Sequence, residues 1–360
     1  MFNWITGKML YGLGVLLGVV TLVFFLFHVL PGDPARMMLG QRADLRSIER
    51  VNTELGLDRP VSLQYLRYIN DLSPLSWHNF SDPDNFFYLN SNRLDKAIPL
   101  IKFGHNSGIV LKKPYLGVSF QNRTPVHVLI GDVLPNTLLL ATVAIIFASF
   151  FGGLLGIIAA MVKNSALDKF VLFISAIGMS LPSFFSAILF GWIFAFVLAE
   201  HTGLNLTGNI YEIDDFGNGK VLQLKNLILP AFTLGIRPLS IVVQLTRNSL
   251  LEVLNQDYIR TARAKGLGFL RVLRKHALRN SLNPVITAVS GWFASLMAGV
   301  VFVEYIFGWK GLGYLIVDAL NQYDMPVVLG SVITIATIFV LVNIFVDLIY
   351  SLLDPRIRSL

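Results

Sequence analysis

The sequence predicts an all-α integral membrane protein with about six transmembrane helices. Hydrophobic residues make up 54% of the chain and charged residues only 14%, whereas soluble domains carry roughly 25% charged residues. The hydrophobic residues form continuous blocks, each about as long as the roughly 20-residue helix that crosses a bilayer. Because lipid offers the backbone no hydrogen bonds, such blocks are expected to fold as helices.

Local signals place the ends of these blocks. Asn136 and Thr137 follow Pro135 and suit the start of the second span. Pro284 and Pro326 suit the first turns of the fifth and sixth spans, where a missing N–H group loses no partner. The predicted spans are residues 9–30, 136–162, 169–199, 228–248, 284–306 and 327–351.

The spans divide the chain into four segments. Residues 1–30 contain the first transmembrane helix, and residues 31–135 form a large external region between helices 1 and 2. Residues 136–351 form a five-helix core that includes a cytoplasmic coupling loop at 251–283, between helices 4 and 5. Residues 352–360 form a cytoplasmic tail.

The external region has two parts. Residues 41–71 carry apolar side chains at helical spacing and predict two short amphipathic helices. Residues 72–114 are rich in Asn, Ser, Asp, Pro and aromatic residues and read as an inserted lobe, with short strands near Phe86, Phe87, Tyr88 and Leu89. The sequence assigns this lobe no role.

The Lys and Arg residues of the short connections predict the orientation, since such residues concentrate on the cytoplasmic side. With both termini inside, the inside segments carry Lys8, Lys163, Lys169, Arg356, Arg358 and the eight basic residues of 247–279. The short outside segments carry only Lys220, Lys225 and Lys310. The chain's net charge of +7 is therefore explained by orientation, and nucleic acid is not an expected partner.

Several kinds of chemistry are not expected in this chain. It has no cysteine, so disulfides and thiol chemistry are excluded. Its six histidines show no metal-ligand spacing, and no metal site is predicted. It lacks a Gly-x-x-x-x-Gly-Lys-Ser/Thr segment, so it is not predicted to be an ATPase or to hold a cofactor.

The most informative segment lies in the coupling loop. It reads as a helix, a break at Gly266-Leu267-Gly268, and a second helix with Phe269, Leu270, Leu273 and Ala277 on one side and Arg271, Arg274, Lys275 and Arg279 on the other. A basic amphipathic helix lies on anionic lipid or docks a cytoplasmic partner. The glycine break favours docking, because glycine permits the sharp corner that a lipid-lying helix does not need.

This segment resembles the loop motif of the membrane subunits of ATP-binding-cassette importers, in the form found in the dipeptide/oligopeptide/nickel permease family. The matching residues are Tyr258 to Gly266, His276-Ala277-Leu278 and Pro284. Arg260-Thr261-Ala262 stands where the general importer motif has Glu-Ala-Ala, a departure that follows this subfamily. Further similar stretches, in the same order along the chain, are His28 to Pro34, Leu55 to Pro60, Leu116 to Phe120, Leu134 to Leu138, Glu304 to Gly313 and Asp354 to Arg356.

The resemblance implies a bacterial inner-membrane permease that pairs with a second permease, which in this family's pattern is a different chain. Two ATPases would bind both the nucleotide and this chain's loop, and an external solute-binding protein would deliver a peptide or a similar small polar solute. The docking residues implied in this way are Asp257, Tyr258, Arg260, Thr261, Ala262, Ala264, Gly266 and Gly268.

Six further residues are candidates for a solute pathway or gate. Arg237 lies inside span four, either facing a water-filled path or the second permease, or snorkelling to the outer interface. Ser180 and Pro182 are expected to kink span three beside the path. Asn343 and Asp347 lie one turn apart in span six. Glu304, after span five, either pairs with a basic gate residue or is solvated.

Three rivals remain open. A nickel or other small-solute importer of the same family would differ in its cavity and its binding protein. A stand-alone secondary transporter would need coupling-ion residues at the midplane and would show inverted repeats. A receptor or scaffold would use the 72–114 lobe to bind a partner.

Overall fold

The apolar blocks fold as helices in the computed structural model, which describes residues 2–29, 44–83, 85–89, 97–104, 106–213 and 219–353. The predicted stretch 31–43 and the tail from 354 to 360 lie outside the described residues. Four described helices are long and apolar enough to cross a membrane, and two bent helix pairs raise the number to six if each pair is one span. The mostly helical architecture is therefore confirmed.

The helices follow one another along the chain in this order. They are α1 (Phe2–Val29), α2 (Leu45–Leu55), α3 (Val61–Leu72), α4 (Val126–Met161), α5 (Ala166–Ser180), α6 (Ser183–Trp192), α7 (Ala199–Thr202), α8 (Lys225–Leu254), α9 (Asp257–Ala264), α10 (Phe269–Val272), α11 (Leu278–Ser281), α12 (Asn283–Ile306), α13 (Leu312–Asn321) and α14 (Met325–Leu353). Two π-helical turns, Ile193–Val197 and Leu273–Ala277, extend α6 and join α10 to α11.

Proline positions explain one success and one error of the predicted boundaries. Pro284 and Pro326 are each the second residue of a long helix, as predicted. The predicted start of the second span at residue 136 is wrong, because α4 begins at Val126 and contains Pro135. Val126 and Ile130 are buried, and this packing outweighs the hydrogen bond that Pro135 cannot donate.

The predicted kink in span three is a corner. The helix axis bends by 113° between α5 and the stretch Ser183–Val197, which contains α6 and its π-helical turn. Leu181 and Pro182 have extended backbones, with φ −74° and ψ 128° for Leu181 and φ −62° and ψ 142° for Pro182. A residue before proline is pushed out of the helical region, so the chain turns there.

The chain divides into two compact units. The first comprises Met1–Gly12, Val133–Val317 and Thr337–Leu360, and the second comprises Leu13–Asp132 and Asp318–Ala336. In the second unit, α2 and α3 are the two amphipathic helices predicted for residues 41–71. A three-stranded antiparallel sheet follows them, with β1 (Leu75–Asn79) and β2 (Ile98–Phe103) on either side of β3 (Ser107–Leu111).

The all-α prediction holds for the spans and not for the connecting segments. The strands of the lobe were expected near residues 86–89, but there only Tyr88 makes a single bridge, to Asn79. A second small sheet pairs β4 (Tyr211–Ile213) with β5 (Lys220–Leu222). The positions of the lobe strands and of the β4–β5 pair depend on pairing between different segments of the chain, which local composition does not indicate.

Helix α8 is the most deeply packed long helix, and glycines allow α4 to approach it. A Cβ atom added to Gly152 would lie 2.8 Å from the Leu239 carbonyl oxygen, and one added to Gly156 would lie 2.7 Å from that of Val243. From the other side, a Cβ on Gly235 of α8 would lie 2.9 Å from the Ala144 carbonyl oxygen. The two backbones are therefore in direct contact, as small residues permit between membrane helices.

This contact predicts opposite effects for two glycines of α4. Gly156→Ala should lower the free energy of unfolding by about 1–3 kcal/mol, because the methyl group overlaps α8. Gly153→Ala should leave it unchanged or raise it by up to about 1 kcal/mol, since a Cβ there meets nothing within 4 Å and alanine favours helix. Denaturant unfolding in detergent measures both, and equal effects would contradict the contact.

Candidate functional site

The part of the coupling loop that is predicted to dock a partner, Asp257 to Gly268, is called the docking loop here. It begins where α8 ends. Gln256 has an extended backbone, with φ −73° and ψ 150°, and Asp257 opens α9 with an acidic side chain in the first turn. That placement is favourable at the positive end of a helix dipole. The loop is thus a short helix set off from α8 by a sharp bend.

Gly266 makes the predicted corner. Its φ is +78°, in the left-handed region, and its N–H donates to the Arg263 carbonyl oxygen at 2.9 Å. A Cβ on Gly266 would meet nothing within 4 Å, so the requirement for glycine comes from backbone conformation and not from space. Gly268, at φ −61°, is extended.

A core of apolar side chains holds the loop on the long helices. Ile259 of α9 is fully buried and Ala262 nearly so. They pack in one cluster with Ala160 of α4, Leu250 of α8, and Val272, Leu273 and Ala277. Ser249 also donates to the Ser281 carbonyl oxygen at 2.9 Å. The loop is therefore rigidly attached to the ends of α4 and α8.

The predicted docking residues divide between surface and core. Asp257, Tyr258, Arg260, Thr261, Ala264, Gly266 and Gly268 are exposed, whereas Ala262 belongs to the buried core. Arg260 lies 3.4 Å from Asp257 and the Tyr258 hydroxyl accepts from the Asn280 amide at 3.0 Å. A partner protein would contact the seven exposed residues directly, whereas Ala262 supports them from the core.

The predicted apolar side of the second helix is partly wrong. Phe269 and Leu270 are 45% and 66% exposed, while Val272, Leu273 and Ala277 are buried. Leu273 and Ala277, in the π-helical turn, are on the buried side as predicted, whereas Phe269 and Leu270, in α10 before the turn, are not. The basic residues Arg271, Arg274, Lys275 and Arg279 are exposed, as predicted.

An ion pair that the sequence did not predict joins α8 to α5 near the loop. Arg247 donates from Nε to Asp168 at 2.6 Å and from Nη2 at 2.7 Å. Asp168 also accepts from the Asn164 N–H, and its own N–H donates to the Ser165 hydroxyl. Ser165-x-x-Asp168 is a recognisable start-of-helix pattern. The distant Arg247 leaves no such local signal.

Glu304 corrects both of its predicted roles, since it is neither paired with a basic residue nor solvated. Its carboxylate is fully buried at the end of α12 opposite the docking loop. It accepts from the Thr137 hydroxyl at 2.7 Å and from the N–H groups of Gly313 and Tyr314 at 2.6 and 3.3 Å. Glu304 therefore caps the start of α13 and fixes it to α4.

Asp347 and Asn343 lie on α14 near a contact with α1. Asp347 forms an ion pair with Lys8 at 2.7 Å. Asn343 donates to the Phe339 carbonyl oxygen of its own helix at 2.8 Å. A Cβ on Gly12 would meet Val340, so α1 and α14 are closely packed here. Asp347 thus acts as a clamp between the first and last long helices.

The remaining predicted pathway residues lie on α8 or beside it. Arg237 is exposed, with its guanidinium carbon 5.7 Å from the centre of the Trp292 ring. Ser180 and Pro182 are exposed at the corner between α5 and α6. Gln244 of α8 donates to the Met179 sulfur at 3.2 Å, which places this corner beside α8. The structure thus brings Arg237, Ser180 and Pro182 to neighbouring helices.

Long apolar helices that carry a rigid helical loop at one end define a multi-pass membrane protein. Residues 152–359 match the family described as binding-protein-dependent transport system inner membrane component, and residues 1–76 match its N-terminal counterpart. The chain belongs to this family.

Relatives of nearly full length support the assignment. The chain is 34% identical over 364 residues to the dipeptide transport system permease protein DppB of Alkalihalophilus pseudofirmus, with 98% of each chain covered. It is 33% identical over 358 residues to the glutathione transport system permease protein GsiC of Salmonella paratyphi A, with 99% of each covered.

A solved structure is similar in fold. The inward-facing MetNI methionine ABC transporter superposes with a TM-score of 0.50 and 16% sequence identity, over 63% of this chain and 97% of that chain. At this identity the likeness concerns the fold alone.

Breaking the pair between α5 and α8 should be costly. Arg247→Met should lower the free energy of unfolding by about 3 kcal/mol, because the buried Asp168 carboxylate loses its countercharge. Lys169→Met, at the exposed neighbouring residue, should change it by less than about 0.5 kcal/mol. Denaturant unfolding in detergent is the measurement, and a neutral Arg247→Met would show that the pair contributes nothing.

Removing the Glu304 cap should also destabilise the protein. Glu304→Ala leaves a hydroxyl and two N–H groups without an acceptor, and should cost about 2–3 kcal/mol. Glu304→Gln keeps an acceptor in place and should cost less. The same unfolding experiment compares them; an alanine variant as stable as the native protein would contradict the capping role.

Proposed function

We propose that this chain is the permease subunit of an ATP-driven importer and forms a translocation path for peptides or similar small polar solutes. The observation that carries the proposal is the docking loop. It presents an exposed face while its buried face is fixed to the ends of two long helices. A loop built in this way is suited to transmit the movement of a partner protein to the helices.

The movement would be transmitted through α8. The docking loop shares its core with α4 and α8, and the Arg247–Asp168 pair ties α8 to α5. A displacement of the loop would therefore move three helices together. Rigid-body movement of this kind is the usual basis of switching between outward- and inward-facing states.

Peptides are the proposed solutes because of the relatives. Their names specify dipeptide, di/tripeptide and glutathione transport, and all of these solutes are small peptides. The same names favour peptides over nickel. The family's dependence on a binding protein favours an importer over a stand-alone secondary transporter or a receptor.

The proposed partners are a second permease, which we take to be a different chain, two ATP-binding subunits and an external solute-binding protein. ATP is bound by the ATPase subunits, and this chain holds no cofactor. Lipid surrounds the helices. The docking loop is the proposed surface for an ATPase, and the opposite end of the helices is the proposed surface for the binding protein.

The proposed orientation places both termini and the docking loop in the bacterial cytoplasm. The Lys8–Asp347 pair supports termini on one side, because Lys8 lies near the start of α1 and Asp347 near the end of α14. The exposed basic residues at 263–279 support the cytoplasmic side for the loop, since positive residues remain there.

Co-purification with a pair of glycine variants tests the proposal. From its native membrane the chain should recover two ATPases and a second permease. Gly266→Val should reduce ATPase recovery at least tenfold, because a β-branched residue is strongly disfavoured at φ +78°. Mass spectrometry quantifies each subunit.

Gly203→Val is the matched control. Gly203 is also exposed, ends a short helix at φ +61° and has open space around a Cβ, but it lies outside the docking loop. This variant should retain both ATPases. Recovery of the native chain without ATPases would refute the importer assignment, and normal recovery with Gly266→Val would refute the position of the docking surface.

A further inference from the structure

Arg237 is an exposed charge in the middle of α8. At about 1.5 Å per residue it lies about 18 Å from the first residue of this helix and about 25 Å from the last. A bilayer's hydrocarbon layer is about 30 Å thick. Neither end of the helix is close to Arg237, which places the charge deep in the span, where a cation faces protein or water.

The Trp292 ring orients the Arg237 guanidinium but does not accept hydrogen bonds from its N–H groups in the way an oxygen does. The guanidinium carbon lies 5.7 Å from the ring centre, within the range of a cation–π contact. A ring face attracts the cation but provides no oxygen acceptor for its five N–H groups. The planar fork of donors therefore remains available to a planar acceptor such as a carboxylate.

The carboxylates of the described spans are already engaged or lie near helix ends. Asp168 pairs with Arg247, Asp347 pairs with Lys8, and Glu304 accepts from Thr137 and two N–H groups. Asp132 and Glu252 lie within two turns of the ends of their helices. Among the described spans, no carboxylate is therefore left to pair with Arg237.

Polar side chains continue from Arg237 along the same face of α8. Gln244 and Asn248 follow at intervals of seven and four residues, which return to one side of a helix, and Ile241 lies on that side between Arg237 and Gln244. On the neighbouring α12, the small residues Thr287, Gly291 and Ser295 are spaced at four-residue intervals. A Cβ on Gly291, beside Trp292, would meet nothing within 4 Å.

This combination distinguishes a path from a lipid contact. Lipid-facing surfaces of membrane helices are apolar, whereas polar residues mark water-filled cavities and solute routes. A salt bridge to the second permease would account for Arg237 alone. It would not account for a polar line that runs about 16 Å further along α8 towards the docking loop.

We propose that Arg237 binds the carboxylate of the transported solute inside the translocation path, and that the solutes are small molecules with a free carboxylate, such as the C-terminal group of a short peptide. The proposal rests on the importer function proposed above. Trp292 holds the guanidinium, and the polar line of α8 receives the solute beyond it.

Uptake of an acid and its amide by the whole transport complex tests the role of Arg237. The complex, with its second permease, ATPases and binding protein, is reconstituted into vesicles and supplied with labelled dialanine or dialanine amide. Arg237→Gln should reduce dialanine uptake at least tenfold and change amide uptake less than twofold. The ratio of the two rates should therefore fall about tenfold, as expected for loss of one charge-assisted hydrogen-bonded pair.

Two variants accompany this experiment. Arg237→Lys keeps the charge but not the fork and should retain an intermediate preference for the acid. Lys169→Gln removes a positive charge from the exposed start of α5, outside the docking loop and the proposed path, and should leave both rates unchanged. Co-purification of all subunits with each variant establishes that the complex has assembled.

The outcomes separate the proposals. Unchanged dialanine uptake with Arg237→Gln, or lost uptake with an unchanged acid-to-amide ratio, would overturn the role of Arg237. Loss of the second permease from this variant would make Arg237 a subunit contact, and would also overturn it. If the native complex does not transport the amide measurably, a tenfold loss of dialanine uptake with intact assembly supports the role. Absence of ATPases from the native complex would refute the importer function itself.

Discussion

The direct contact between the backbones of α4 and α8 is the constraint on which the rest of the first unit depends. Gly152 and Gly156 lie against the carbonyl oxygens of Leu239 and Val243. Further along the two helices, Ala160 and Leu250 enter the core of the docking loop. The same line of small residues thus sets the distance between the helices and the position of the loop. In a bilayer, where apolar surface gains little by being buried, such close packing supplies much of the attraction between helices.

Charge inside the described spans follows a second rule: ion pairs and hydrogen bonds within the chain offset the charges of Asp168, Arg247, Lys8, Asp347 and Glu304. The Asp168–Arg247 pair lies at the loop end of the helices, Lys8–Asp347 joins the first and last long helices, and Glu304 is surrounded by hydrogen-bond donors. A charge near mid-bilayer costs about 2.5–3.5 kcal/mol on insertion scales, so a charge deep in a span needs a partner or a water-filled surrounding. Arg237 departs from the rule, and this contrast makes it a functional candidate.

Local signals in the sequence predicted those features of the structure that depend only on neighbouring residues. The corner at Gly266, the first-turn positions of Pro284 and Pro326, and the break before Pro182 each depend on the backbone preferences of one or two residues. The apolar blocks predicted the helices for the same reason. Gly152-x-x-x-Gly156 is a further local signal, since small residues four apart mark a helix contact.

The errors concern residues whose surroundings come from distant parts of the chain. Glu304 meets Thr137, which is 167 residues earlier, and no spacing rule connects them. The start of α4 was misplaced because burial of Val126 outweighs the preference of Pro135 for a first turn. Phe269 and Leu270 are exposed, because the core at the loop is built from Val272, Leu273 and Ala277 against the distant Ala160 and Leu250. In each case tertiary packing decided against a local preference.

Helix α8 joins the two proposed functional features, the docking loop and Arg237, through one rigid element. It carries the docking loop at its end and Arg237 near its middle, and Gly178 of α5 packs against its Ser240 close to the corner at Pro182. At this corner Leu181 and Pro182 lie outside both helices, so a change in the angle between α5 and α6 would leave both helices intact. A partner that shifts the loop would then shift Arg237 relative to α6. By thermodynamic reciprocity, a solute whose carboxylate prefers one position of Arg237 would in turn favour the corresponding state of the loop.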